Sequence, residues 1–113
     1  MIMLVSQISE VFTAAGTGLN GGVLIPQAPG YHSLQVFGVG GSPSAWSIAL
    51  QGSLDNSHWY TLLVHSSSAN NNLNDIVFTN ANVLKVIYLQ IVCNSVTLNG
   101  ATSLNAIASS AVA

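Results

Sequence analysis

Apolar and polar residues alternate along several short stretches of the chain. This period of two is typical of β-strands that bury one face. The clearest case is WSIALQGSL, residues 46–54, in which the large apolar side chains fall on one face and mainly small or polar residues on the other. We therefore predict a strand whose core-facing residues are Trp46, Ile48, Leu50 and Leu54.

Further stretches with strand character are separated by residues that favour turns. They are SLQVFGV, WYTLLVH, DIVFT, SVTLNG and SLNAIAS. The stretch LKVIYLQIVC is apolar at most positions, which predicts a strand covered on both faces. Strong helix formers are scarce, so we predict an all-β protein, an antiparallel β-sandwich or jelly roll of about seven to eight short strands. The glycine-rich stretch FGVGGSPSA is predicted to be a hairpin loop.

The first 30 residues differ in composition from the rest. Residues 15–30 hold five glycines and two prolines around the apolar group VLIP. We predict a single domain overall, with residues 1–30 as a loop-rich N-terminal arm that includes an edge strand and residues 31–113 as the β-sandwich. An exposed apolar group on such an arm suits contact with a neighbouring molecule. The candidate interface residues are Val23, Leu24, Ile25 and Pro26.

Charged side chains are nearly absent from this 113-residue chain. One basic residue and three carboxylates make 4% of the sequence, with a formal net charge of −2, whereas about 25% is usual. Proteins that bind nucleic acids or anionic membranes need clustered Lys and Arg, so this composition excludes both kinds of partner. A spanning helix is excluded too, because the longest apolar run, residues 83–93, falls short of the roughly 20 residues required. Weak charge repulsion favours a protein packed in an assembly.

The stretch LDNSHW, residues 54–59, brings Asp, Asn, Ser and His together between two apolar residues. Asp55 can accept backbone hydrogen bonds, and Asn56 tolerates the left-handed backbone conformation. We therefore predict that Asp55 and Asn56 form a turn of four or five residues that reverses the chain. Trp59, directly after the turn, is predicted to close the end of the core that Trp46 anchors.

Chemical alternatives for the turn are weaker. A Ser-His-Asp triad needs its histidine placed beside the nucleophile, and residues so close in sequence do not converge reliably on one centre. The histidines and the single cysteine lack the paired spacing of a zinc site, and two isolated aspartates give little charge for calcium. We therefore predict no enzymatic activity, no catalytic residue, no metal and no cofactor. The strongest alternative is an exposed Trp59 or Tyr60 that stacks on a sugar.

Two stretches carry a resemblance to a known group of proteins, GGSPSAWSIALQGSLDNSHWYTLL and VIYLQIVCNSVTLNG. They resemble small β-sandwich proteins of tailed-bacteriophage virions, of the capsid cement (decoration) or head-fibre type. In that group a strand ending Leu-X-Gly-Ser-Leu-Asp-Gly precedes a tryptophan, and a later strand leads into a terminal hairpin. Asn56 replaces the usual glycine, and Tyr88 lies near the place of a common arginine. The matching residues are Leu50, Gly52, Ser53, Leu54, Asp55 and Trp59.

The resemblance implies a non-enzymatic structural protein of a phage particle. The expected role is a capsid decoration protein on the particle exterior, assembled in the host cytoplasm. Its partners would be the major capsid protein or other virion proteins, and its expected state is a homo-oligomer, with a trimer favoured. A similar turn occurs in galactose-binding-like modules, so the alternative is a carbohydrate-binding or receptor-binding module of a tail or fibre. Burial of Trp59 and Tyr60 favours the first role, and exposure favours the second.

Overall fold

This computed structural model describes residues 3–18, 23–24, 31–67, 75–79, 86 and 88–112. Within these ranges the regular secondary structure consists of nine strand segments. No helix long and apolar enough to cross a membrane occurs within these ranges. In chain order the strands are β1 (Met3–Phe12), β2 (Gly16–Thr17), β3 (Val23–Leu24), β4 (Tyr31–Val39), β5 (Ala45–Ser53), β6 (Tyr60–Ser67), β7 (Asp75–Thr79), β8 (Tyr88–Thr97) and β9 (Ser103–Val112).

The strands form two antiparallel sheets, sheet A with the order β1-β9-β4-β7 and sheet B with the order β2-β8-β5-β6; β3 also pairs with β8. The pairs are nested along the chain: β5 with β6, β4 with β7, β2 and β3 with β8, and β1 with β9. The chain thus resembles one long hairpin, rolled up so that β9 meets β4 and β8 meets β5. This nested order is that of a jelly roll, which confirms the predicted fold class.

One apolar core fills the space between the two sheets. Alternate side chains of the central strands point inward, as the period of two requires. The predicted cover on both faces of β8 is only partial, because Gln90 on its outer side is buried but Val92 is half-buried and Ser95 is exposed. Burial raises the pKa of the Cys93 thiol, which keeps it protonated and unreactive. The core residues of the central strands are Leu34, Val36, Trp46, Ile48, Leu50, Leu89, Ile91, Cys93, Leu104, Ala106 and Ala108.

Leu54 and Trp59, on either side of the β5–β6 turn, are less buried than predicted. Leu54 is 68% exposed, so its predicted place in the core is wrong. The strand β5 ends at Ser53, and the strand periodicity cannot be extended into the turn that follows. Trp59 precedes β6 and is only partly buried, outside the cluster of buried core residues.

Two connections cross from one sheet to the other, and the first of them was predicted to be a hairpin loop. The glycine-rich loop after Val39 joins β4 of sheet A to β5 of sheet B, and the turn after Thr97 joins β8 of sheet B to β9 of sheet A. The two loops contact each other, because the backbone N–H of Thr102 donates to the carbonyl oxygen of Val39 at 2.8 Å. The hairpin prediction for FGVGGSPSA was wrong because adjacent strands in sequence need not be partners in a jelly roll.

The N-terminal segment contributes strands to both sheets. At the edge of sheet A, β1 pairs with β9 along its whole length, and Phe12 at its end is buried in the core. In sheet B, Val23 and Leu24 form β3 and lie opposite Leu89 and Tyr88. The other two candidate interface residues, Ile25 and Pro26, lie outside the described residues. The interface role of these four residues remains a prediction.

Candidate functional site

The turn between β5 and β6 is the innermost turn of the nested chain, and it carries most of the candidate chemistry. It begins at Ser53, the last residue of β5, whose side chain is buried. The Ser53 Oγ donates a hydrogen bond to Asp55 Oδ1 at 2.9 Å and accepts from the backbone N–H groups of Asp55 and Asn56 at 3.1 and 2.9 Å. A single hydroxyl therefore ties the start of the turn to the end of the strand.

The Asp55 carboxylate organises the second half of the turn. Its Oδ1 accepts from the backbone N–H groups of Ser57 and His58 at 2.9 and 2.8 Å, and its Oδ2 pairs with His58 Nδ1 at 2.7 Å. These bonds, chiefly the one from the His58 backbone, hold the pKa of the Asp55 carboxyl well below its usual range. Asp55 is therefore ionised at neutral pH, and the turn is built around a carboxylate.

Backbone conformation explains the asparagine in this turn. Asn56 has a φ of 59°, in the left-handed region that few residues other than Gly and Asn adopt readily. The Asx-type hydrogen bonds of Asp55 and the left-handed Asn56 together reverse the chain within a few residues.

The order of the hydrogen bonds differs from that of a catalytic triad. In a triad, the serine hydroxyl gives its hydrogen to histidine, and the carboxylate lies behind the imidazole. Here the single hydroxyl hydrogen of Ser53 goes to Asp55, and the carboxylate lies between serine and histidine. His58 therefore does not activate Ser53 as a nucleophile in this arrangement.

Metal-ligand side chains are scattered across the fold. Among the described residues no three His, Cys, Asp or Glu side chains gather into a possible metal site. His32 and Cys93 are buried in different sheets, whereas the side chain of His58 is 89% exposed at the turn. The structure does not bring these sequence candidates together.

A shallow cleft of about 300 Å³ lies beside the turn. Tyr60 is 56% exposed at the start of β6, and Leu54 projects from the turn. The floor includes Gly52, where an added Cβ would lie only 2.6 Å from Val86 Cγ2. The contact between Gly52 and Val86 joins distant parts of the sequence, so no local pattern pointed to Val86. The lining residues are Gly52, Ser53, Leu54, Asp55, His58, Tyr60 and Val86.

The outer face of sheet B is a second candidate surface, and its described side chains carry no charge. Strand register aligns them in three rows across β6, β5 and β8. The central row is small and apolar, and the flanking rows are neutral and polar, with Gln90 Nε2 donating to Gln51 Oε1 at 2.7 Å. The rows are Thr61–Gln51–Gln90, Val64–Ala49–Val92 and Ser66–Ser47–Ser95.

The outer face of sheet A has the same character. Rows across β1, β9 and β4 again hold only neutral side chains in the described part of the sheet. The hydroxyl groups of Ser33 and Ser109 are hydrogen-bonded to each other at 2.7 Å. The three carboxylates lie outside these rows: Asp55 is in the turn, Glu10 has the inward register of its partner Ala106, and Asp75 lies opposite the buried Val36 in the edge strand β7. The rows are Gln7–Ser109–Ser33, Ser9–Ile107–Gln35 and Val11–Asn105–Phe37.

Comparison with known proteins gives a likeness of fold. No protein-family model and no curated protein matches the sequence. The solved structure of SPBc2 prophage-derived protein YomS superimposes with a TM-score of 0.57 at 15% identity, covering 97% of this chain and 96% of that one. At this identity the likeness shows a common fold alone. A structure of infectious bursal disease virus Gx strain gives a TM-score of 0.34 at 12% identity, covering 98% of this chain and 30% of that one, too weak to carry an argument.

Proposed function

We propose that this protein is a non-enzymatic structural protein of a phage particle, and specifically a capsid decoration protein on the exterior of the shell. The observation that carries the proposal is the neutrality of both outer faces of the sandwich in the described residues. Such faces suit close packing against other protein subunits through apolar contacts and neutral hydrogen bonds, with little desolvation of charge.

The fold likeness supports the same role. The jelly roll is common among viral capsid domains, and the structure with a TM-score of 0.57 is described as prophage-derived. The sequence stretches that resemble phage decoration proteins include β5, the following turn and β8, which are central to the observed fold. The proposed partners are accordingly the major capsid protein or other virion proteins, with assembly in the host cytoplasm.

The proposed mechanism is stabilisation by mass action. A protein that binds the assembled lattice better than its dissociated subunits increases the stability of the lattice. As a homo-oligomer, with a trimer favoured, it would contact several capsid subunits at once. Weak neutral contacts would then combine into strong attachment.

The direct test is the composition of particles from the virus that encodes the protein. Mass spectrometry gives its copy number, and electron microscopy gives its position. Hundreds of copies on the shell are expected of a decoration protein. Absence from the particle contradicts the proposal altogether, whereas about a dozen copies or fewer at the tail would contradict the decoration role alone.

Charge insertion tests the contact surface. Val64 in sheet B and Val11 in sheet A are both at least half exposed, so lysine is tolerated at either position in the isolated protein. We expect Val64→Lys or Val11→Lys, whichever lies in the contact, to abolish co-sedimentation with particles, while the neutral controls Val64→Thr and Val11→Thr still bind. Wild-type attachment should survive about 1 M NaCl, where charge interactions are screened within about 3 Å. Release by moderate salt, or full attachment of both lysine variants, contradicts contact through these faces.

A further inference from the structure

We propose that the cleft beside the β5–β6 turn binds a neutral pyranose ring. This site is independent of the proposed attachment faces, since none of its lining residues belongs to their rows. It is formed by residues that the turn holds in place: Tyr60 and Leu54 at its margin, Val86 at its floor, and the Asp55–His58 pair on its polar side.

The apolar part of the cleft matches the C–H face of a sugar ring. The ring of Tyr60 is amphipathic and 56% exposed, and Leu54 beside it is 68% exposed. Neither Tyr60 nor Leu54 belongs to the core, so packing of the core does not explain two large exposed side chains beside the turn. Binding sites of this kind combine an apolar lining with a few oriented polar groups, and aromatic faces attract the weakly positive C–H groups of a ligand.

With the His58 imidazole neutral, the polar part of the cleft offers two hydrogen-bond acceptors. An ionised carboxylate only accepts, so in the neutral imidazole Nδ1 carries the hydrogen that Asp55 Oδ2 accepts, and His58 Nε2 is left as an acceptor. Asp55 Oδ2 itself has capacity for a second donor. Two acceptors next to an apolar surface suit the hydroxyl groups at the rim of a sugar, which can donate to them.

The charge of the described lining disfavours acidic ligands. The described lining contains the Asp55 carboxylate and no Lys or Arg. A phosphate or carboxylate on the ligand would meet this negative charge without a counter-charge from those residues. The inferred ligand class is therefore a neutral hexose or N-acetylhexosamine unit.

Saturation-transfer NMR on the full chain provides the test, with the methyl glycosides of glucose, galactose and N-acetylglucosamine as probes. We expect at least one probe to bind with a dissociation constant in the millimolar range. In spectra of the protein, that probe should shift the Tyr60 and His58 resonances. Tyr60→Ala should weaken binding about tenfold and His58→Ala about fivefold, as loss of stacking and of one hydrogen bond predict. Tyr60→Phe retains the ring and should bind nearly as wild type. Val64→Ala is the matched control, because Val64 is 50% exposed on the same strand and does not line the cleft.

Three results would overturn the inference. The first is no binding of any probe at concentrations about tenfold above the expected millimolar dissociation constant. The second is binding that Tyr60→Ala leaves unchanged. The third is equal binding of cyclohexanol, which would show an unselective apolar cleft. Circular dichroism of each variant establishes that it is folded. None of these results bears on attachment to particles, so failure here is distinguishable from failure of the proposed function.

Discussion

Gly52 lies against Val86 so closely that a Cβ added to the glycine would be 2.6 and 2.7 Å from the two γ-methyl groups of the valine. Real Cβ atoms do not approach other carbon atoms so closely, so a side chain at position 52 must displace Val86 or bend β5. Gly52 is therefore required for packing, because its φ is not among the positive ones.

Gly52→Ala is expected to destabilise the protein by about 1–3 kcal/mol through overpacking. Val86→Ala removes the two methyl groups and leaves only the Cβ of residue 86, at 2.9 Å, so it should relieve most of the clash. The double variant should therefore lose less stability than the two single variants combined. Urea unfolding of the four proteins measures this coupling. Strict additivity, or a Gly52→Ala variant as stable as wild type, would contradict the close contact.

The two tryptophans should respond unequally to truncation. Trp46 is 4% exposed, and its indole meets His65 edge to face with ring centroids 5.1 Å apart. Trp46→Ala should cost about 3–5 kcal/mol, as for other buried aromatic residues. Trp59→Ala, at a partly buried position, should cost distinctly less. Thermal unfolding measures both, and an equal loss would show that Trp59 belongs to the core.

Leu50 and Leu54 provide a matched pair for the same chemical change. Leu50 is fully buried, so Leu50→Ala should destabilise the protein by about 2–5 kcal/mol. Leu54→Ala removes an exposed side chain and should change the free energy of unfolding by no more than about 0.5 kcal/mol. Chemical denaturation of the two variants checks the prediction. A large loss for Leu54→Ala would place this residue back in the core.

Acid should remove the contribution of Asp55 to stability. Its pKa is lowered in the folded protein from an ordinary value of 3.8, because the turn hydrogen bonds favour the carboxylate. The folded state then binds the proton less well than the unfolded state, so the contribution is complete above about pH 4 and falls as the pH decreases below it. Asp55→Asn should therefore lower the melting temperature at neutral pH. Its curve should approach that of wild type towards about pH 2. Parallel curves over the whole range would contradict a stabilising carboxylate.

Asn56 tests the left-handed backbone of the turn. Asn56→Gly should be neutral or slightly stabilising, whereas Asn56→Ala should cost about 1 kcal/mol because Cβ is unfavourable at a φ of 59°. Ser57, the next residue, is not among those with a positive φ, so Ser57→Gly is the control and should bring no gain. Differential scanning calorimetry compares the variants. An Asn56→Ala variant more stable than Asn56→Gly would exclude this turn conformation.

The sequence predicts the strands and the fold class well because both depend on local periodicity. Trp46, Ile48 and Leu50 alternate with smaller residues, and the structure buries all three. The pattern fails at Leu54, one residue beyond β5, because periodicity carries no signal for where a strand stops.

Partners that are distant in sequence could not be predicted. Ala49 lies between Val64 and Val92 in a neutral row, yet alternation within one strand does not identify its neighbours. The same limit hid the contact of Gly52 with Val86, and with it the floor of the cleft. Sequence alone does not determine the exposure of Tyr60 for a similar reason, since it depends on where the sandwich ends.

The nested pairing of strands has a consequence for the order of folding. The β5–β6 pair joins residues that are close in sequence, but β1 and β9 bring Met3 opposite Val112. Long-range pairs form slowly because they must close large loops first. Until β9 inserts between β1 and β4, β1 lacks its partner and β4 exposes a free edge, in a chain with little charge to repel other copies. A slow step that leaves such edges open favours aggregation, so the last strand to join the fold also protects the rest of sheet A from mispairing.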